Sequence, residues 1–311
     1  MQRKAKADRR FMKDYIIVTD NAADLYFGYY DEHPTVQLPM PFTIEDKSYE
    51  FEEECPTMLE YYDILKSGKL VNTAQVNQET ARIMLKKVLE ENDKDLLFIS
   101  FSSGMSGSYN GVSAVAEELK KEYPDRRIVV IDTLSGAGSE GLLVYYAKKL
   151  QDEGASMDQV IEWIEQNKKN SHNIFIVDDL KNLRHSGRIS SIAALFGIVF
   201  QIKPVLELSN EGKIALLGKA MGRKKAIDEI VRYFNEYYVK DVNDFILVGH
   251  TGNEVDAKLL ADKIQAIEPN VPVKYGYINR LVSGCAGYNA LVVYFMGRPR
   301  RKRIADQLQD V

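Results

Sequence analysis

Residues 96–108 constrain the fold most, because an apolar run ends there in a cluster of serines and glycines. The run Leu-Leu-Phe-Ile-Ser-Phe is typical of a buried strand, and Ser-Ser-Gly-Met-Ser-Gly-Ser follows it. Apolar residues at helical spacing then predict a helix over residues 109–123. A strand, a tight turn and a helix N-terminus present free backbone N–H groups and the positive end of the helix dipole. The segment therefore predicts a site for an oxyanion: a carboxylate, a phosphate or a transition-state oxygen.

Two further predicted strands end in the same way as the strand that precedes the serine-rich loop. The three strands end at Thr19, Ser100 and Ile131, and acidic, hydroxyl or glycine residues follow each one. Alternation of apolar strands with amphipathic helices predicts a parallel sheet with helices on both faces. Open α/β sheets bind ligands beyond the carboxyl ends of their strands. We therefore predict an α/β fold of two α/β domains, the first with a mainly parallel sheet flanked by helices.

We divide the chain into two domains and two basic tails. Residues 1–13 form a basic N-terminal tail, 14–168 an N-terminal α/β domain with the serine-rich loop, 169–297 a C-terminal α/β domain, and 298–311 a basic C-terminal tail. We expect the basic cluster at 298–303 to be solvated, as charge runs usually are. The longest apolar run, 192–200, is about half of what a bilayer span requires, so we expect no integral membrane segment.

Composition limits the function classes. The 311 residues suffice for two ordinary domains, and the net charge of −4 gives no reason to expect nucleic acid as a partner. The two cysteines lie far apart, without a CxxC pair, which favours a reduced, cytoplasmic protein over a disulfide scaffold. We expect neither a metal nor a cofactor.

Three kinds of site fit the serine-rich loop. Gly104-Met-Ser-Gly-Ser108 lies one residue from the G-x-S-x-G elbow of serine hydrolases, and Ser106, Asp132 and His250 follow in the order Ser, Asp, His. The second glycine is misplaced, however, and His250 belongs to the other predicted domain. The second kind of site binds a nucleotide, but the chain lacks the glycine-rich motifs of such sites. The third kind binds a ligand's carboxylate at the loop while an apolar tail is buried between the domains.

The ordered motifs along the chain resemble those of the DegV family. They are Ile17-Val-Thr-Asp-Asn-Ala-Ala-Asp24, Thr73-Ala-Gln75, Ser102-Ser-Gly-Met-Ser-Gly-Ser-Tyr109, Asp132-Thr-Leu-Ser135, Leu183-Arg-His-Ser-Gly-Arg-Ile-Ser190, Ile202-Lys-Pro204 and Gly222-Arg-Lys-Lys-Ala226. The resemblance covers about residues 14–296. It implies a non-enzymatic two-domain protein that buries a long-chain fatty acid between its domains, and that serves as the acyl-binding subunit of a bacterial fatty acid kinase. A separate subunit of that kinase uses ATP to phosphorylate the bound carboxylate.

The resemblance also implies site residues. Thr73, Ser102 and Ser103 would contact the carboxylate, with Gly104 and Ser106 in the same loop; Ser103 is the first choice. The family places the motifs of Arg184, Arg188 and Arg223 near the site or the kinase-facing surface. Arg188 could equally form an ion pair between domains, and Lys203 could be a solvated residue at a strand end.

The chain departs from the family pattern at positions that bear on the carboxylate. Cys285 stands where the family has a histidine, Ala74 replaces a serine, and Tyr288-Asn289 replace Pro-Gly. A thiol is a weak donor, so carboxylate binding through Cys285 and phosphoryl transfer are both in question. A binding protein for a different small ligand therefore stays an alternative.

Overall fold

The computed structural model describes residues 14–25, 28–178, 180–189 and 202–301. Its strands are β1 (Tyr15–Asp20), β2 (Val36–Leu38), β3 (Phe42–Ile44), β4 (Lys47–Tyr49), β5 (Val71–Thr73), β6 (Asp95–Ser100), β7 (Ile128–Asp132), β8 (Ser171–Ile176), β9 (Ile202–Leu208), β10 (Ile214–Met221), β11 (Ile246–His250), β12 (Val273–Tyr277) and β13 (Leu291–Met296). Its helices are α1 (Tyr29–Glu32), α2 (Met58–Lys66), α3 (Gln78–Glu91), α4 (Ser108–Glu122), α5 (Gly138–Asp152), α6 (Met157–Asn167), α7 (Lys181–His185), α8 (Gly222–Tyr237), α9 (Glu254–Ile267) and α10 (Arg280–Ala286).

A parallel sheet organises the first half of the chain. Its strand order is β2-β1-β6-β7, and all of its neighbouring strands run parallel. Because side chains alternate along a strand, Leu96 and Phe98 pack in one hydrophobic cluster with α3 and α4, and Leu97 and Ile99 pack in another with α5 and α6. Both faces are thus covered by helices, which confirms the predicted parallel α/β arrangement.

A second, larger sheet organises the other half. Its strand order is β10-β9-β8-β13-β11-β12; β11 and β12 pair in parallel, and the other neighbours pair antiparallel. Helices α8 and α9 cover one face, where Phe234, Leu260 and Phe295 are fully buried. The sheet changes between α6 and β8, where our proposed division at 168/169 falls.

The two halves pack against each other through α5. Leu142 and Leu143 of this helix are fully buried in one cluster with Leu247, Val292 and Tyr294 of the larger sheet. A small antiparallel sheet of order β4-β3-β5 lies apart from the two main sheets and ends at Thr73. These contacts bring the carboxyl end of the parallel sheet close to one face of the larger sheet.

The structure differs from the sequence prediction at the C-terminal basic segment. Arg300 is 4% exposed and is therefore not part of a solvated tail. Its guanidinium lies among backbone carbonyl groups that sequence patterns do not reveal. The predicted tail at 1–13, the apolar run 192–200 and residues 302–311 lie outside the described residues. None of the described helices combines the length and the apolar composition that a bilayer span requires.

Candidate functional site

The serine-rich loop connects β6 to α4, as predicted, and α4 begins at Ser108, one residue earlier than expected. The N–H groups of Met105 and Ser106 both donate to the carbonyl oxygen of Ser102, at 3.1 Å each. The N-cap residue of α4, Gly107, has no side chain to cap the helix, and the hydroxyl of Ser106 accepts a hydrogen bond from the N–H of Ser108, the first helical residue, at 3.2 Å. The positive end of the helix dipole lies beside the loop.

The loop is anchored to its neighbours by buried polar groups. The hydroxyl of Ser108 accepts a hydrogen bond from the backbone N–H of Val76 at 3.0 Å, which holds the segment after Thr73 against the loop. Asp20, at the end of β1, accepts the N–H of Phe101 at 2.9 Å. Burial raises the pKa of Asp20 to about 7. Asp20 positions the start of the loop, a role that we did not predict because its partners are backbone groups.

An apolar cavity adjoins the loop. Its volume is about 770 Å³ when the solvent-filled space at its open mouth is included. Both halves of the chain supply its walls, which include Phe101, Phe175, Leu208, Ile214, Val282 and Val292. Sequence reasoning missed these apolar residues, because a strand such as β13 is buried along its whole length and does not reveal which side chains border a cavity.

Four residues that we predicted from separate motifs line this cavity: Thr73, Ser106, Arg188 and Cys285. The hydroxyl oxygen of Thr73 lies 3.6 Å from the sulfur of Cys285. The hydroxyl of Ser106 lies 3.0 Å from that of Ser108. Nε of Arg188 donates to the carbonyl oxygen of Met105 at 3.3 Å. The structure therefore gathers hydroxyl, thiol and guanidinium groups along an otherwise apolar wall.

Ser102, Ser103 and Gly104 do not line the cavity. The hydroxyl of Ser102 is buried and donates to the carbonyl oxygen of Gly212 at 2.8 Å. The exposed hydroxyl of Ser103 donates to Oδ2 of Asp132 at 2.5 Å, and its N–H donates to Oδ1 at 3.1 Å. A carboxylate beside Ser103 repels a second carboxylate. We therefore change our first choice for the carboxylate contact from Ser103 to Ser106.

The other predicted basic residues lie in different surroundings. Arg184 is exposed on α7. Lys203 and Arg223 converge on Asp178, with Nζ and Nη1 at 3.2 and 3.3 Å from Oδ1. Nε of Arg223 also donates to Asp256 at 2.8 Å. Lys203 and Arg223 thus belong to an ion-pair network at the end of the larger sheet. A partner that bound these two residues would have to contact them while they stay paired with Asp178 and Asp256.

The residues of the hydrolase alternative do not assemble. Ser106 lines the apolar cavity, and the carboxylate of Asp132 accepts hydrogen bonds from Ser103. His250 is 2% exposed and lines a second cavity with Tyr277, where burial lowers the pKa of its imidazole. Nδ1 of His250 has no hydrogen-bond partner. The structure therefore gives Ser106 no histidine base and offers the hydrolase no support. No group of three or more His, Cys, Asp or Glu within the described residues could hold a metal ion.

Comparisons with known proteins agree with this architecture. A family model described as "Uncharacterised protein, DegV family" matches residues 15–298. The chain belongs to the DegV family. A DegV domain-containing protein of Clostridium perfringens is 33% identical over 291 residues, which cover 92% of this chain and 98% of that protein.

Solved structures of DegV-family proteins share the fold. The fatty-acid-binding DegV family protein of Streptococcus agalactiae has a TM-score of 0.81 at 23% identity, over 92% of this chain and 99% of its own. The fatty-acid-binding DegV of Bacillus subtilis has a TM-score of 0.81 at 24% identity, over 92% and 100%. A stearic-acid-binding protein of Eubacterium ventriosum has a TM-score of 0.80 at 19% identity, over 91% and 98%.

Proposed function

We propose that this DegV-family protein binds one long-chain fatty acid, with its acyl chain in the apolar cavity and its carboxylate near Thr73, Ser106 and Cys285. The observation that carries the proposal is the cavity itself: apolar walls from both halves of the chain meet a few polar groups beside a helix N-terminus. Relatives of the same fold are described as binding fatty acids. A mainly apolar pocket with a few polar groups is typical of a site for an amphipathic small molecule.

The acyl chain supplies most of the binding free energy. Each buried CH₂ contributes about 0.8 kcal/mol, so a chain with roughly 14 methylenes gains about 11 kcal/mol before the loss of translational and conformational freedom. The polar groups fix the orientation of the ligand. Of the described residues that line the cavity, Arg188 alone carries a charge, so neutral hydroxyl donors and the dipole of α4 complete the surroundings of the carboxylate.

We further propose that the protein is cytoplasmic, needs no cofactor, and acts as a binding subunit rather than an enzyme. In that role it would present the carboxylate to a separate ATP-dependent kinase subunit. The exposed Arg184 and the half-buried Arg188 lie in the same motif, so the kinase subunit would meet positive charge there. Because Cys285 stands where the family has a histidine, phosphorylation of the bound carboxylate is the part of this proposal that most needs a direct test.

Calorimetric titration of delipidated protein with palmitic acid and with hexadecanol tests the binding function. The two ligands share the chain and differ in the head group, so the comparison isolates the carboxylate. We expect one palmitate per chain and at least tenfold weaker binding of the alcohol. Absence of palmitate binding refutes the function, and equal binding of both ligands refutes the assignment of the carboxylate site. Labelling by a fluorophosphonate that is lost in Ser106→Ala would instead support a hydrolase.

A further inference from the structure

The C-terminal segment 298–301 docks onto the protein. The N–H of Arg298 donates to the carbonyl oxygen of Tyr237 at 2.8 Å, and the N–H of Arg300 donates to that of Lys169 at 3.0 Å. The side chain of Arg298 is exposed, whereas Arg300 is 4% exposed. Arg300 lies two residues beyond the range that the family model matches. A buried arginine needs acceptors for its donors, and those acceptors reveal what it does.

The guanidinium of Arg300 joins three segments that are distant in sequence: the loop after β7, the connection from α6 to β8, and the turn between β9 and β10. Its acceptors are the carbonyl oxygens of Leu134 (2.8 Å), Lys168 (3.2 Å), Ser171 (2.7 Å from Nη2 and 3.2 Å from Nε) and Ser209 (2.9 Å), and the hydroxyl of Ser135 (2.7 Å). Burial lowers the pKa of Arg300 to about 10, so the group stays charged at neutral pH. A planar fork of five N–H donors suits such divergent acceptors, which a lysine ammonium cannot reach together.

The turn 209–212 is pressed against the serine-rich loop. The hydroxyl of Ser102 donates to the carbonyl oxygen of Gly212, and a Cβ at Gly104 would overlap the carbonyl oxygen of Glu211. On the other side of the contact, the N–H of Ser102 donates to the carbonyl oxygen of Ser135 at 2.9 Å. Arg300 binds both Ser135 and Ser209, so it closes a ring of hydrogen bonds that runs from the serine-rich loop to the turn and back.

This ring lies directly behind the wall of the apolar cavity: its own residues do not line the cavity, but their neighbours in the chain do. Leu208 and Ile214, which flank the turn, line the cavity, as do Ser106 and Gly136 from the loops that face them. Separation of the turn from the serine-rich loop would therefore open the cavity along one side. The cavity residues themselves would stay unchanged.

We propose that Arg300 is a positioning residue that holds turn 209–212 against the serine-rich loop and thereby sets the rate at which an acyl ligand enters and leaves the cavity. The inference rests on the proposed fatty acid binding and goes beyond it. Arg300 does not line the cavity, so its replacement changes the frequency of opening more than the contacts of the bound chain. Both association and dissociation then accelerate, and the equilibrium affinity changes little.

Stopped-flow fluorescence with cis-parinaric acid, an 18-carbon polyene fatty acid, measures both rates; excess oleate starts the dissociation. The variants are Arg300→Lys, which keeps the charge, and Arg300→Ala; Arg298→Ala is the matched control on the same segment. We expect both rates to rise at least tenfold in Arg300→Lys, with Kd within about threefold of the wild-type value and no change in Arg298→Ala. We also expect faster hydrogen exchange at the amide of Gly212, and unchanged exchange in β6.

The outcomes separate the inference from the function. A wild-type protein that takes up no parinaric acid refutes fatty acid binding. A wild-type protein that binds, with Arg300→Lys exchanging ligand at the wild-type rate, refutes the role of Arg300. If the affinity or the stability falls while ligand dissociation and hydrogen exchange at Gly212 keep their wild-type rates, Arg300 has a purely structural role. That result also refutes the proposal. If both Arg300 variants fail to fold, Ser135→Ala removes a single acceptor, and a twofold to threefold rise in both rates is then expected; unchanged rates refute the proposal.

Discussion

A single substitution that fills the apolar cavity tests where the acyl chain lies. Ala286, on α10, lines the cavity together with Val282 and Cys285 and is half-buried. A phenylalanine ring at this position enters the space that the proposal assigns to the ligand. The protein core does not have to expand to accept the ring, because the added volume lies in the cavity. Ala286→Phe therefore separates loss of ligand binding from loss of folding.

The size of the effect follows from the methylenes that the ring displaces. If the ring excludes roughly three of them, at about 0.8 kcal/mol each, binding weakens by about 2.4 kcal/mol, or about 60-fold in Kd. If the ring lies beyond the reach of a ten-carbon chain, the affinity for decanoate falls less than that for palmitate; if the ring lies nearer the carboxylate, both affinities fall together. The ratio of the two losses therefore reports how far along the chain the ring lies.

Calorimetry with palmitate and decanoate measures these losses. Ala114→Phe makes the same substitution at an exposed position of α4 and is the control, for which we expect wild-type affinity. A saturating ligand raises the melting temperature of a protein that binds it, so palmitate should stabilise wild type and Ala114→Phe but stabilise Ala286→Phe much less. Wild-type affinity for palmitate in a folded Ala286→Phe protein would show that the chain does not occupy this cavity.

Three further predictions concern the polar groups. Ser106→Ala should weaken palmitate binding by about threefold to tenfold, and Ser103→Ala by less than twofold, because only the first hydroxyl lines the cavity; equal losses contradict the revised carboxylate site. Cys285→His adds an imidazole that is charged below about pH 6.5. The affinity of this variant for palmitate should therefore rise between pH 8 and pH 6 by more than that of the wild-type protein. Identical pH profiles of the two proteins contradict a carboxylate near residue 285. Burial raises the pKa of Asp20 from its ordinary value to about 7, so the folded protein binds a proton there that the unfolded chain releases above about pH 4. The contribution of Asp20 to unfolding free energy therefore falls as pH rises from about 4 to 7, and urea denaturation of Asp20→Asn should show a smaller fall over this range; an unchanged pH dependence contradicts the shift.

The fold was predictable where local patterns reflect burial. The apolar run of β6 alternates between two hydrophobic clusters, and the serines and glycines after it mark the end of the strand. The turn 209–212, with Ser, Asn and Gly in four residues, connects two antiparallel strands in the same way. Such features follow from side-chain alternation and turn chemistry within a few residues, so a single sequence contains them.

The composition of the site was predictable only in part, because long-range contacts decide which hydroxyl faces the ligand. Ser102 and Ser103 are adjacent to Gly104 in one motif, yet Ser102 bonds to a turn 110 residues away and Ser103 to a neighbouring strand end. Ser106 faces the cavity instead. The burial of Arg300 likewise depends on carbonyl oxygens from distant segments, and no spacing of residue types encodes them.

Extraction of the purified protein in denaturing organic solvent, followed by mass spectrometry, tests the central claim most directly. We expect close to one long-chain fatty acid per chain, either as purified or after incubation of delipidated protein with a mixture of fatty acids. We also expect a marked loss of that ligand in Ala286→Phe and retention in Ala114→Phe. Folded wild-type protein that carries no acyl lipid and takes none up would contradict the account.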